Sequence, residues 1–299
     1  MSDTASATTV DQRAVRHRTA TVDGRTVFYR EAGDPAAPSL VLLHGFPTSS
    51  HMFRALMSDL ADRFHLIAPD HIGFGYSDAP AVTDFDYSFD NLAAVTTGLL
   101  DRLGLDRFAL YVMDYGAPIG LRIASRQPHR ITGLIVQSGN AYNEGFTPFW
   151  EGLFAYARDR AAHEPAMRKM LEPEATRWQY THGVPADRLD RLTPDTWTLD
   201  QALLERPGNK EVQLQLFFDY QTNLPLYATF QEYFRTHRPP MLITWGEHDE
   251  IFGADGARAY TRDLPDAELH LLDAGHFALE THGEEIAGLI RDFLGRIRH

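Results

Sequence analysis

The chain has 299 residues, 43% hydrophobic and 11% aromatic, enough to fill one large globular core or a domain carrying an insertion. Its net charge of −13 argues against nucleic acid and anionic membrane as partners. The absence of cysteine excludes disulfides, thiolate catalysis and cysteine-ligated metals, and fits a reducing, cytoplasmic setting.

Residues 1–15 form a small, polar tail without the apolar segment of a secretory signal. No apolar run approaches the roughly 18 residues that span a bilayer. Thr19-Ala-Thr-Val and Thr26-Val-Phe-Tyr-Arg flank Asp23-Gly24, a strong hairpin signal. Leu40-Val-Leu-Leu is a continuous apolar run of the kind that forms a strand buried on both faces. Phe64 to Ala68 reads as the next strand, and Asn91 to Leu103 has helical apolar spacing. Phe108 to Met113 is strand-like, Ala117 to Arg126 helical, and Ile131 to Val136 strand-like again. Met241 to Trp245 and Leu269 to Leu272 are the last two expected strands, and Glu284 to Ile297 is a closing amphipathic helix. Strand–helix alternation after an opening hairpin predicts a mostly parallel sheet wrapped by helices. Residues 140–238 break the rhythm: they hold three tryptophans and many tyrosines, with helical spacing and no strand runs. They are expected to form a helical cap over the carboxyl ends of a core built from residues 16–139 and 239–299, where open α/β sheets bind ligands.

The strand-like run before Asp114 stops at that carboxylate, and a helix of small residues follows at once. This is the layout of a nucleophile elbow, with aspartate as the raised residue. A carboxylate displaces a leaving group from saturated carbon, and the resulting ester is then hydrolysed. Three further segments end predicted strands: His44-Gly-Phe-Pro47, Asp70-His-Ile-Gly-Phe-Gly-Tyr-Ser77, and the pair Trp245-Gly-Glu-His-Asp249 and Asp273-Ala-Gly-His276. In this order they resemble the α/β-hydrolase fold over essentially the whole chain. That resemblance implies an eight-stranded, mostly parallel sheet flanked by helices, with a helical cap inserted after the sixth strand. One departure from the family pattern is Val112, where a smaller residue often stands two before the nucleophile.

The resemblance assigns Asp114 as nucleophile, His276 as base and Asp249 as the acid that orients it. It assigns the amides of Phe46 and Tyr115 to an oxyanion hole, and Phe46-Pro47 is a candidate cis peptide. His44, Pro47, Trp150 and Trp178 are expected to border the substrate, with His44 a hydrogen-bonded structural residue rather than a base. Pro165 after His163-Glu164 spoils a helical zinc motif, so no metal is expected, and no cofactor is required.

Three aspartate-nucleophile families share this elbow. Haloalkane dehalogenases follow the nucleophile with a tryptophan that holds the departing halide, whereas this chain has Tyr115. Fluoroacetate-type dehalogenases place an arginine near the elbow, and Tyr115-Gly-Ala-Pro offers none. Epoxide hydrolases need acidic hydroxyls above the aspartate, because the leaving oxygen stays on the substrate. Phe218-Asp-Tyr220-Gln-Thr-Asn223 resembles their late-cap tyrosine motif, which makes Tyr220 the first proton donor; Tyr156 or Tyr180 would be its partner. The expected substrates are a small apolar epoxide and water, turned over by a monomer or homodimer. A dehalogenase with a halide pocket built from Trp150 or Trp178 is the main alternative. A binding protein on this scaffold is the reading from another class, and it would not need nucleophile, base and acid together.

Overall fold

The structure is a computed structural model that describes residues 14–297. Residues 1–13 of the expected tail lie outside the described residues. Strands β1 (Arg16–Val22) and β2 (Arg25–Ala32) form the opening hairpin, with Asp23 and Gly24 both at positive φ as a tight turn requires. The chain continues through β3 (Ser39–Leu43), α1 (Arg54–Leu60), β4 (His65–Pro69), α2 (Phe89–Arg102), β5 (Phe108–Met113), α3 (Gly116–Arg126) and β6 (Ile131–Gln137). Eight strands make one sheet in the order β1-β2-β4-β3-β5-β6-β7-β8, where β7 is Met241–Gly246 and β8 is Glu268–Leu272. Only the β1–β2 and β2–β4 pairings are antiparallel. Every residue of β4, β5, β6 and β7 is buried, which is why these strands read as unbroken apolar runs rather than alternating ones.

Local chemistry moves several element boundaries from their expected places. Ser88 caps α2 by accepting from the Asn91 amide, so that helix starts two residues early, at Phe89. The closing helix α11 (Ala278–Arg296) starts six residues early and kinks at His282, so its first turn springs directly from the loop that carries His276.

Between β6 and β7 the chain builds six helices: α4 (Trp150–Arg158), α5 (Arg160–Lys169), α6 (Pro173–Thr181), α7 (Pro194–Leu204), α8 (Asn209–Asp219) and α9 (Tyr227–His237). Helix α5 runs through Pro165, so the proline by itself does not remove a helical motif there. Among the described residues no group of three or more histidine or acidic side chains is placed to hold a metal ion. After β7, α10 (Ala254–Asp263) leads into β8. No helix among the described residues is long and apolar enough to cross a membrane.

Candidate active site

Strand β5 delivers Asp114 at the carboxyl edge of the sheet, and Asp114 turns the chain into α3 with φ at 49°. Non-glycine residues rarely adopt that conformation, and it is held here by the packing on both sides. The bulk of Val112 is absorbed at Gly120 of α3, where a Cβ would fall 2.5 Å from the valine Cγ1. Gly45 lets the loop after β3 approach the carboxylate, since a side chain there would begin 2.3 Å from Asp114 Oδ1. The same loop carries Phe46, joined to Pro47 by a cis peptide. Asp70 braces this loop from beneath, accepting from the Ser50 and Tyr76 amides at 2.7 Å each.

The amides of Phe46 and Tyr115 both donate to Asp114 Oδ1, at 2.7 and 2.6 Å. The expected oxyanion donors are therefore aimed at an oxygen of Asp114 itself. The other oxygen, Oδ2, lies 4.0 Å from His276 Nε2. Burial pushes the Asp114 carboxyl up to about 6, against the downward pull of His276 and the two amides.

His276 follows β8 and is 3% exposed. Its Nδ1 bonds Asp249 Oδ2 at 2.9 Å, which leaves Nε2 to face Asp114. Asp249 Oδ1 is in turn fixed by the amides of Ile251 and Phe252, at 2.8 and 3.1 Å. Burial lowers the His276 imidazole, but the charges of Asp249 and Asp114 and the Asp249 hydrogen bond outweigh it, and the net shift is upward. Asp114, His276 and Asp249 are thus one contact chain assembled from three strand ends.

The cavity above Asp114 is about 480 Å³ including its mouth. Phe46, Tyr115, Phe149, Trp150, Leu153, Met167, Met170, Gln179, Phe217 and Ile251 line it with Asp114. Of the residues expected to border substrate, Trp150 does so, but its indole N–H is engaged with the Ile251 carbonyl at 2.7 Å. His44, Pro47 and Trp178 are not lining residues. His44 is fully buried, with Nδ1 on the Gly45 carbonyl and Nε2 accepting from the His71 amide. Burial lowers its imidazole to about 4, which keeps it neutral. Trp178 lies flat against Phe149 instead, ring planes 1° apart.

The two tyrosines offered as the second proton donor are elsewhere. The Tyr156 hydroxyl donates to the Leu214 carbonyl, and its electrostatic neighbours are Arg160, Glu164 and Arg168. Tyr180 donates to Asp200. Their helices direct both hydroxyls to these partners rather than to Asp114. Tyr220 is not a lining residue either, but it stands nearer: its ring packs on Tyr115 and Trp150, which do line the cavity, with centroids 6.0 and 4.4 Å away, and its hydroxyl lies within electrostatic reach of Asp114. Its turn is pinned on both sides, since Asp219 accepts from the Phe89 amide and Asn223 accepts from Arg122. Its hydroxyl shares a hydrogen bond with Tyr227, which accepts from Asn140.

Two polar residues of the cavity were missed. The Tyr115 hydroxyl is buried with no hydrogen-bond partner among the described residues, and so is Gln179 Nε2. Tyr115 had been read only for its amide. Nothing in the sequence separated Gln179 from a surface helix position.

Residues 38–283 match the family profile described as alpha/beta hydrolase fold. The chain is 44% identical over 276 residues to an uncharacterized hydrolase of Saccharomyces cerevisiae, covering 91% of this chain and 94% of that protein. It is 27% identical over 285 residues to a haloalkane dehalogenase of Mesorhizobium japonicum, covering 91% and 89% respectively. Among solved structures, a haloalkane dehalogenase of Agrobacterium tumefaciens superposes with a TM-score of 0.77 at 22% identity, covering 95% of this chain and 97% of that one. The structural likeness is one of fold.

Proposed function

Starting from a chain that belongs to the α/β-hydrolase fold family, we propose that this hydrolase opens an epoxide to a vicinal diol through an ester on Asp114. The observation that carries the reading is the division of that carboxylate: two amides hold Oδ1, and Oδ2 is left facing the base. An oxyanion hole aimed at the nucleophile's own oxygen serves the hydrolysis of an alkyl ester on that residue.

Asp114 Oδ2 attacks one ring carbon, and the C–O bond breaks. The ring oxygen takes a proton from Tyr220, with Tyr115 as the second hydroxyl donating to it. The second donor is therefore a core residue beside the nucleophile, in place of the cap tyrosines expected. His276 next takes a proton from water, and hydroxide adds to the Asp114 carboxyl carbon while the Phe46 and Tyr115 amides hold the negative Oδ1. Collapse expels the diol as its alkoxide, which takes the proton back from His276. The proton left on the Asp114 carboxyl restores the tyrosinate. An acid at about 6 gives up that proton readily to a phenolate raised well above 10 by burial.

A second reading, haloalkane dehalogenase, is favoured by the relatives of that activity. It needs N–H groups for the halide; the Trp150 indole is already bonded to a carbonyl, and Gln179 Nε2 is the unengaged N–H that the cavity would offer instead. The two readings separate on matched epoxides and haloalkanes, assayed for diol and for free halide. Diol without halide is expected. Tyr220→Phe and Tyr115→Phe should each slow ring opening by about 10²-fold, as lost general acids do, and leave hydrolysis of a preformed ester alone. Halide release with no diol would end the epoxide reading.

A further inference from the structure

Gln179 stands out in a cavity whose other walls, apart from Asp114 and Tyr115, are aromatic, aliphatic or thioether. It is 3% exposed, and its Nε2 is buried without a hydrogen-bond partner among the described residues. An unpaired buried amide is costly, so such a group needs a partner to be neutral for stability. The helix that carries it is held in place. Its neighbour Tyr180 is tied to Asp200 by a hydrogen bond and stacks on Phe277, centroids 4.0 Å apart and planes 6° apart. Just beyond α6, the His182 carbonyl comes so close to Gly275 that a Cβ there would meet it at 2.1 Å. Helix α6 is therefore clamped against the loop that carries the base, and Gln179 is fixed in the cavity wall.

We infer that Gln179 is a substrate anchor, and that the substrate is an uncharged epoxide whose apolar body carries one hydrogen-bonding oxygen. This rests on the epoxide reading and names the substrate class for it. No arginine or lysine lines the cavity and Asp114 does, so an anionic tail is repelled and a neutral one is accepted. The N–H of a primary amide can donate to an ether, carbonyl or hydroxyl oxygen. Because Gln179 and Asp114 share one cavity, a single molecule spans both, with its oxygen at the amide and its ring at the carboxylate. Met167 and Met170, which line the same cavity, shape themselves to the apolar body of the substrate.

The test compares benzyl glycidyl ether with its analogue carrying a methylene in place of the ether oxygen, in the unaltered protein and in Gln179→Leu. The variant should lower kcat/KM about 10-fold or more for the ether, mostly through KM. The methylene analogue should be turned over equally well or better, which also shows that the variant is folded. Equal losses on both substrates, or no loss on either, would overturn the anchor. Calorimetric binding of the two product diols makes the same comparison without chemistry. Selective binding of the ether diol, lost in Gln179→Leu, supports the anchor even if neither epoxide reacts, in which case only the epoxide reading falls. Absence of that selectivity overturns the anchor even where both epoxides react.

Discussion

Two buried carboxyl groups face residues of α6, and their surroundings raise them by different amounts. Asp114 accepts two backbone amides and faces an imidazole, and its carboxyl is raised only to about 6. Asp200 is as deeply buried but meets only the hydroxyls of Tyr180 and Thr48, with Glu280 nearby opposing ionisation and Arg54 favouring it. Burial carries Asp200 to about 8, so it keeps its proton at neutral pH. The same side chain is thus made reactive in one place and neutral in the other by two amides and a base. Hydroxyl donors do not offset burial as well as oriented amides and a facing cation.

The comparison breaks most sharply at residue 114. Asp114→Asn, assayed freshly prepared, should lose about 10⁴-fold or more in activity, as removal of a covalent nucleophile does. In the unaltered enzyme kcat/KM should fall as pH drops through about 6, because only the carboxylate attacks. An asparagine variant that stays fully active refutes the covalent route.

A smaller loss tests the base. His276→Phe should turn over about 10³-fold more slowly, but its first step should survive as a burst of one equivalent. Mass spectrometry of the quenched protein should find the substrate esterified to residue 114. A uniformly slow reaction with no adduct would place His276 outside the second step.

The gentlest effect is expected at Asp200 and is read in stability. Its folded pKa lies above its unfolded value, so the folded state holds a proton that the unfolded chain releases. That contribution is complete below about 4 and is lost as pH rises through about 8, with a slope of at most roughly 1.4 kcal/mol per pH unit. Denaturation midpoints of Asp200→Asn should be flatter than those of the unaltered protein across that window. Parallel curves would mean that Asp200 is charged in the fold.

Much of this architecture was legible because it follows from burial alone. Leu40 to Leu43 and Phe108 to Met113 lie inside a sheet covered on both faces, so their residues are apolar without interruption. Asp114, Asp249 and His276 were legible because each follows the carboxyl end of a strand. The helical segment is harder to read, since an aromatic side chain there has the same composition whether it faces a cavity or packs behind one. Trp178 was preferred by residue type, yet its neighbour Gln179 is the one that reaches the cavity, one helical position being a rotation of about 100°. Tyr156 and Tyr180 illustrate the same limit: a place along the chain does not fix a direction around a helix, and their hydroxyls are bonded to Leu214 and Asp200. Tyr220 stands in a recognisable motif, and two of its residues, Asp219 and Asn223, are bonded to the core, which fixes the turn that carries it.

The near-touch of His182 and Gly275 also decides where traffic can pass. Lifting α6 would drag the base out of line, so that side of the roof has to stay shut while a molecule comes or goes. The cavity is also walled by α4 and α5, two short helices joined at Asp159, and by two pliable methionines.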